Sequence, residues 1–302
     1  MVRLQIMSDL HLEQDESYER FFIYPRAPYL ALLGDIGNLV YHSQQYRTFI
    51  ERHLGRFDAI FYVHGLKEGN KSTYELAQRE MESLNNYCKM LKAYSKRGEK
   101  WGDFVFLNNS RYDIPGERIT VLGGTLFTFP PRHLRHGTDR LYRNELVIVG
   151  WNIQRHIAAH LETMSYLSRE VATIAKQDPK RSIIILTHHC PTIDPRIIGP
   201  RHDVDPEGLK YQHASDLTGE HPWTGAKSVK LWAFGSTHYN CRQIDWETGM
   251  QLYSNQRGYP EECPDFDMER YVEIIAPKID DPAPDPTPTP SLSTASTLST
   301  FY

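Results

Sequence analysis

The chain runs to 302 residues, 40% hydrophobic, 24% charged and 12% aromatic, with a formal net charge of −4. That length is enough to bury a sizeable core, and without a basic excess or basic stripe the polyanion surface of a dedicated nucleic-acid binder is excluded, which favours a small-molecule substrate. No apolar stretch approaches the roughly 18 residues that cross a bilayer, so no membrane partner is expected.

The chain opens directly on an apolar strand, Val2 to Met7, with no charged and then apolar leader, which reads as a cytoplasmic protein without a signal peptide. The strand is followed by Ser8-Asp9-Leu10-His11. A second run, Tyr29 to Leu33, leads into Gly34-Asp35-Ile36-Gly37, and a third ends in Tyr62-Val63-His64-Gly65. Ligands of an open parallel sheet collect beyond the carboxyl ends of its strands, so Asp9, His11 and Asp35 are expected to converge on one edge. Asp-x-His on extended backbone turns both side chains to the same face.

From Ser72 to Lys96, Leu76, Met81, Leu84, Cys88 and Leu91 recur at helical spacing and predict an amphipathic helix covering one sheet face. Strands are expected at Phe104–Leu107 and Ile119–Leu122. A second helix is expected from Trp151 to Lys176, with His156 and His160 on one face in packing or surface roles. A fourth buried run, Ser182 to Leu186, continues into Thr187-His188-His189-Cys190-Pro191. A fifth, from Val229, ends in Phe234-Gly235-Ser236-Thr237-His238, and further strands are expected at Gln251–Ser254 and Tyr271–Ile275. Strands mixed with long helices make a layered α/β domain. Between Pro191 and Lys227 the chain reads as a long loop over the ligand edge, with Pro200, Arg201, His202, Asp203 and Asp205 as candidates for the substrate entrance. Beyond about Asp280 it turns to Asp, Pro, Ser and Thr, which predicts a domain over 1–278 and a disordered tail over 279–302. Cys88, Cys190, Cys241 and Cys263 have no CxxC spacing and read as reduced thiols.

Singly, each polar strand end is weak. Five in order resemble the calcineurin-like metallophosphoesterase family, whose pattern is Asp-x-His, Gly-Asp, Gly-Asn-His-Glu, a later His and Gly-His-x-His. The resemblance covers roughly residues 1 to 275; Gly123-Gly124-Thr125-Leu126-Phe127 and Ser254-Asn255-Gln256-Arg257-Gly258-Tyr259 look like its fungal-type branch. It implies a four-layer α/β/β/α sandwich of two mixed sheets flanked by helices, with metals at the sheet edge. By the same resemblance Asp9, His11, Asp35 and His238 hold one ion. The second ion keeps only Asp35 and His188, because Gly65-Leu66-Lys67-Glu68 stands where Gly-Asn-His-Glu is expected and Ser236 where Gly-His-x-His has its first His.

A divalent ion wants roughly four to six ligands, so the expectation is one tightly bound ion, Mn, Fe or Zn. The missing imidazole removes the group that steadies the leaving oxygen; Lys67 is the candidate replacement, a fixed positive charge for the phosphoryl group. His189 and Arg257 are the candidates for substrate contact, and His64 is read as packing or surface. The chemistry expected is slowed hydrolysis of a small phosphoester or related substrate. Non-phosphatase chemistry on the retained ion and a catalytically silent binding protein stand as alternatives.

Overall fold

The computed structural model describes residues 1–96, 98–136, 139, 148–203, 209–217, 225–245 and 247–275. The expected tail over 279–302 and the last residues of the expected domain lie outside these.

Eleven strands form two sheets. In chain order they are β1 (Val2–Met7), β2 (Tyr29–Leu33), β3 (Ala59–Val63), β4 (Asp103–Phe106), β5 (Ser110–Asp113), β6 (Ile119–Gly124), β7 (Ser182–Thr187), β8 (Val229–Ala233), β9 (Cys241–Ile244), β10 (Gln251–Ser254) and β11 (Tyr271–Ile274). The first sheet has the order β11-β1-β2-β3-β4 and the second β5-β6-β7-β8-β10-β9. Within them β1 to β4 run parallel, as do β6, β7, β8 and β10. Strands β11, β5 and β9 pair antiparallel at three of the four outer edges.

The parallel strands are apolar on both faces because both faces are covered. Leu4, Ile6, Ala31, Leu33, Phe61 and Val63 of the first sheet meet Val121, Ile184, Leu186, Leu231 and Ala233 of the second in one buried layer. The alternate residues Met7, Leu30, Leu32, Ile60 and Tyr62 face the other way, against α1 (Ser43–Leu54) and α2 (Tyr74–Ala93). Leu122, Ile183, Ile185 and Trp232 do the same on the far side, against Leu167, Val171 and Ile174 of α3 (Ile153–Gln177). The layers are therefore helix, sheet, sheet, helix, as the resemblance implied.

Helices α2 and α3 start where short polar side chains cap them: Thr73 Oγ1 accepts from Leu76 N at 3.1 Å and Asn152 Oδ1 from Arg155 N at 3.0 Å. The expected stripe holds at Met81, Leu84 and Cys88, which are buried. Within the described part of the stretch expected as a long loop, helical turns form at Pro195–Ile198, Pro200–Asp203 and Lys210–His213, and another at Ala226–Ser228 leads into β8. All four cysteines are free thiols. No helix among the described residues is long and apolar enough to cross a membrane.

Candidate metal centre

Parallel strands deliver their carboxyl ends to one edge, and there β1, β2, β7 and β8 hand over Asp9 and His11, Asp35, His188 and His238. The backbone leaves the strands sharply. Asp9, His11, Asp35, Ser236 and His238 all have positive φ, between 47° and 70°, a region costly for residues with a Cβ. Cross-bonds hold them: Asp9 N to Gly34 O and His11 N to Asp35 O, each 3.0 Å, and Gly235 N to His188 O at 2.8 Å. A Cβ at Gly65 would sit 2.2 Å from Asp35 Oδ1, so the backbone passes the carboxylate only as glycine.

The ligand atoms of Asp9, His11 and His238 lie within 4.8 Å of one another, and so do those of Asp9, Asp35 and His188. Asp9 thus reaches both groups, where the sequence left the second with Asp35 and His188 alone. The three imidazoles are oriented alike. His11 Nδ1 faces Glu13 Oε1 at 3.2 Å, His238 Nδ1 faces Glu262 Oε2 at 2.5 Å and His188 Nδ1 faces Leu33 O at 2.8 Å. Each Nδ1 therefore donates, and each Nε2 is turned inward. His11 Nε2 and His238 Nε2 stand 3.2 Å apart, His238 Nε2 is 3.4 Å from Asp9 Oδ1, and His188 Nε2 is 3.7 Å from Asp35 Oδ1. Asp9 Oδ1 is buried and faces His238 Nε2, while its partner oxygen accepts from Ser236 N at 3.0 Å.

Lone pairs and carboxylate oxygens facing one another in a buried cleft require a positive charge between them. Burial pushes the Asp9 carboxyl upward, but hydrogen bonding and charge from His238 outweigh it and hold it below the usual range. Asp35 is likewise raised by burial and lowered more by His188, His11 and Lys67, to about 2. His238 is pulled down by burial and up by Asp9 and Glu262, with a net rise. A proton on His238 serves part of this need, and the two groups that share Asp9 could hold a divalent cation that serves more of it.

The segment from Gly65 to Glu68 serves this edge through its backbone amides and one buried carboxyl. Leu66 N and Lys67 N donate to Asp35 Oδ1 at 2.6 and 2.8 Å. Glu68 is fully buried and takes Ile36 N at 3.1 Å, Tyr62 Oη at 2.5 Å and Gly65 N at 3.0 Å; burial, then the Asp35 charge, push its carboxyl up to about 8. The Leu66 side chain packs with Phe127, Ile148 and Ile153.

A cavity of about 340 Å³ opens over the edge, lined among others by His11, Asp35, His188, His238, Lys67 and Tyr259. Burial lowers the Lys67 ammonium, but Asp35 and the nearby Tyr259 leave it raised, so it stays charged. Arg201 and His202 also line the cavity, as do His213 and Glu262; Asp205 and the Asp203 side chain lie outside the described residues. His189 and Arg257 are not part of this wall. His189 is fully buried behind it with Nδ1 on Thr125 O at 3.1 Å, and Arg257 reaches Leu10 O at 2.7 Å and covers the Phe21 ring. His64 is buried among Tyr62, Tyr74 and Phe106, and His156 and His160 bond the Thr128 and Leu126 backbone, so all three pack. Sequence reasoning passed over Glu13, His213 and Glu262. Glu13 two residues after His11 was the one local signal.

No family model matches the chain. An uncharacterized protein of Acanthamoeba polyphaga mimivirus is 25% identical over 291 residues, 90% of this chain and 96% of that one. Among solved structures, phosphopantetheinyl hydrolase from Mycobacterium tuberculosis shares 16% identity at a TM-score of 0.60, with 94% of this chain and 98% of that chain covered. A Thermus thermophilus protein shares 14% identity at a TM-score of 0.41, over 84% and 89%. The first likeness shows a shared fold, two mixed sheets flanked by helices.

Proposed function

We propose that the chain is a member of the calcineurin-like metallophosphoesterase family and a metal-dependent hydrolase of a small phosphoester, working with one firmly held divalent ion. The observation that carries this reading is the inward set of Nε2 atoms and carboxylate oxygens at one sheet edge, with every Nδ1 already committed. Asp9, His11, Asp35 and His238 hold the ion. Leu66 and Ser236 supply no strong ligand at the neighbouring position, which is left with Asp9, Asp35 and His188.

When bound, the ion supplies Lewis acidity and acidifies water. The chain's own residues do the rest. Lys67, fixed between Asp35 and Tyr259 on the cavity wall, takes the phosphoryl charge that grows toward the transition state. The amides of Leu66 and Lys67 keep Asp35 aimed, and the size of the cavity supports a small substrate. The test is cleavage of bis(4-nitrophenyl) phosphate and a panel of small phosphomonoesters, including a phosphopantetheinyl compound, with Mn²⁺, Fe²⁺ or Zn²⁺. Activity that disappears in Asp35→Ala supports the reading. Bound metal with no cleavage of any member overturns the hydrolase assignment and favours other chemistry on the same ion.

A further inference from the structure

The turn after β10, Tyr259 to Glu262, lies outside the metal-ligand motifs, yet it grips the site. Its own backbone is closed by Glu262 N to Tyr259 O at 3.1 Å and by Tyr259 N to Glu262 Oε2 at 3.0 Å. The Tyr259 ring stacks on His11, centroids 4.3 Å apart and planes 26° apart, and meets His238 edge-on at 5.2 Å. Glu262 Oε2 also receives His238 Nδ1 at 2.5 Å, while Oε1 receives Arg201 Nη1 at 3.0 Å from across the cavity.

Resting on the metal-site reading above, we propose that Glu262 is the positioning residue of this centre. It fixes the His238 tautomer and ring angle, and Arg201 fixes Glu262 in turn. Three donors converge on its two oxygens, two on one and one on the other, so only a carboxylate satisfies all of them. A glutamine keeps one acceptor oxygen and must aim its NH₂ either at Arg201 or at His238 and Tyr259. The His11 counterpart is weaker, since Glu13 holds Nδ1 at 3.2 Å. His238 is also the one imidazole left in the Gly235–His238 turn, where Ser236 supplies none. Its orientation therefore decides whether the first ion position is assembled.

The experiment titrates full-length metal-free protein with Co²⁺, reading both the visible ligand-field bands and the dissociation constant. Glu262→Gln is expected to weaken Co²⁺ binding about 10- to 100-fold and shift the bands, with the melting temperature of the metal-free protein unchanged. Glu262→Asp keeps the charge, withdraws it by one methylene, and is expected to fall between the two. Wild-type affinity and bands in Glu262→Gln overturn the proposal. A melting temperature that drops without a spectral change in Glu262→Asp assigns Glu262 a merely structural role and overturns it as well. If Glu262→Gln does not fold, Glu262→Asp decides alone: weakened binding with shifted bands supports the proposal, wild-type binding refutes it. Absence of Co²⁺ binding in the wild-type chain overturns the metal reading itself, and this proposal with it.

Discussion

Replacing Gly65 by alanine is the sharpest local test of how the site is built. The added methyl would lie 2.2 Å from Asp35 Oδ1 and 2.4 Å from Asp35 N, where a real Cβ keeps at least 3.0 Å, and the obstruction is backbone and a buried carboxylate rather than a flexible tip. Relief requires a shift of roughly 1 Å between β2 and β3 ends, an overpacking cost of about 1–3 kcal/mol. The shift also strains the two amide bonds at 2.6 and 2.8 Å that hold Asp35, each about 1.5–3 kcal/mol as bonds to a charged group. A loss of about 2–5 kcal/mol in urea unfolding is expected, together with at least about 100-fold weaker metal binding in whatever folds. Gly55→Ala is the control: its φ is −71° and the nearest atom to a new Cβ is 3.6 Å away, so stability should change by less than about 1 kcal/mol. Wild-type stability and metal affinity in Gly65→Ala would refute the close passage of Gly65 over Asp35.

Supplying an amide and an imidazole ligand with Leu66→Asn and Ser236→His should raise bound metal from one ion toward two per chain in elemental analysis, and no gain would count against the proposed depletion. Lys67→Ala should lower kcat by about 10²- to 10³-fold in the phosphoester assay, with metal content kept, and unchanged kcat would remove Lys67 from the chemistry. His53 is buried, takes Ile23 N on Nε2 at 2.9 Å, and burial lowers its pKa to about 4 from 6.5. Its neutral form is the folded form, so its contribution is full above pH 6.5 and is lost as pH falls toward 4, about 2 kcal/mol by pH 5. Urea unfolding of His53→Gln should therefore show a correspondingly shallower decline between pH 7 and 5, and parallel declines would contradict this.

The layers were legible because parallel strands buried on both faces read as continuous apolar runs, and Val2–Met7, Tyr29–Leu33 and Ser182–Leu186 are of this kind. The edge strands Ser110–Asp113 and Cys241–Ile244 were not, since they are only partly buried and carry no apolar run. Helix Ser43–Leu54 was missed because its buried stripe, Tyr46, Phe49, Ile50, His53 and Leu54, mixes aromatic and imidazole groups with few aliphatics. The candidate metal ligands sit at strand ends, where local pattern reveals them. His213 and Glu262 reach the cavity from distant turns, and Glu262 finds His238 only through the fold. Arg257, named from a motif, faces Leu10 and Phe21 instead of the cavity, a choice made by tertiary packing.

The central claim is one firmly bound divalent ion, and metal content per chain tests it most directly. Protein purified without chelator and without added metal, analysed for Mn, Fe and Zn, should carry close to one ion per chain, and Asp9→Asn or His238→Ala should carry none. Two ions in the wild type would contradict the depleted second position, and none in the presence of excess metal would contradict the site itself.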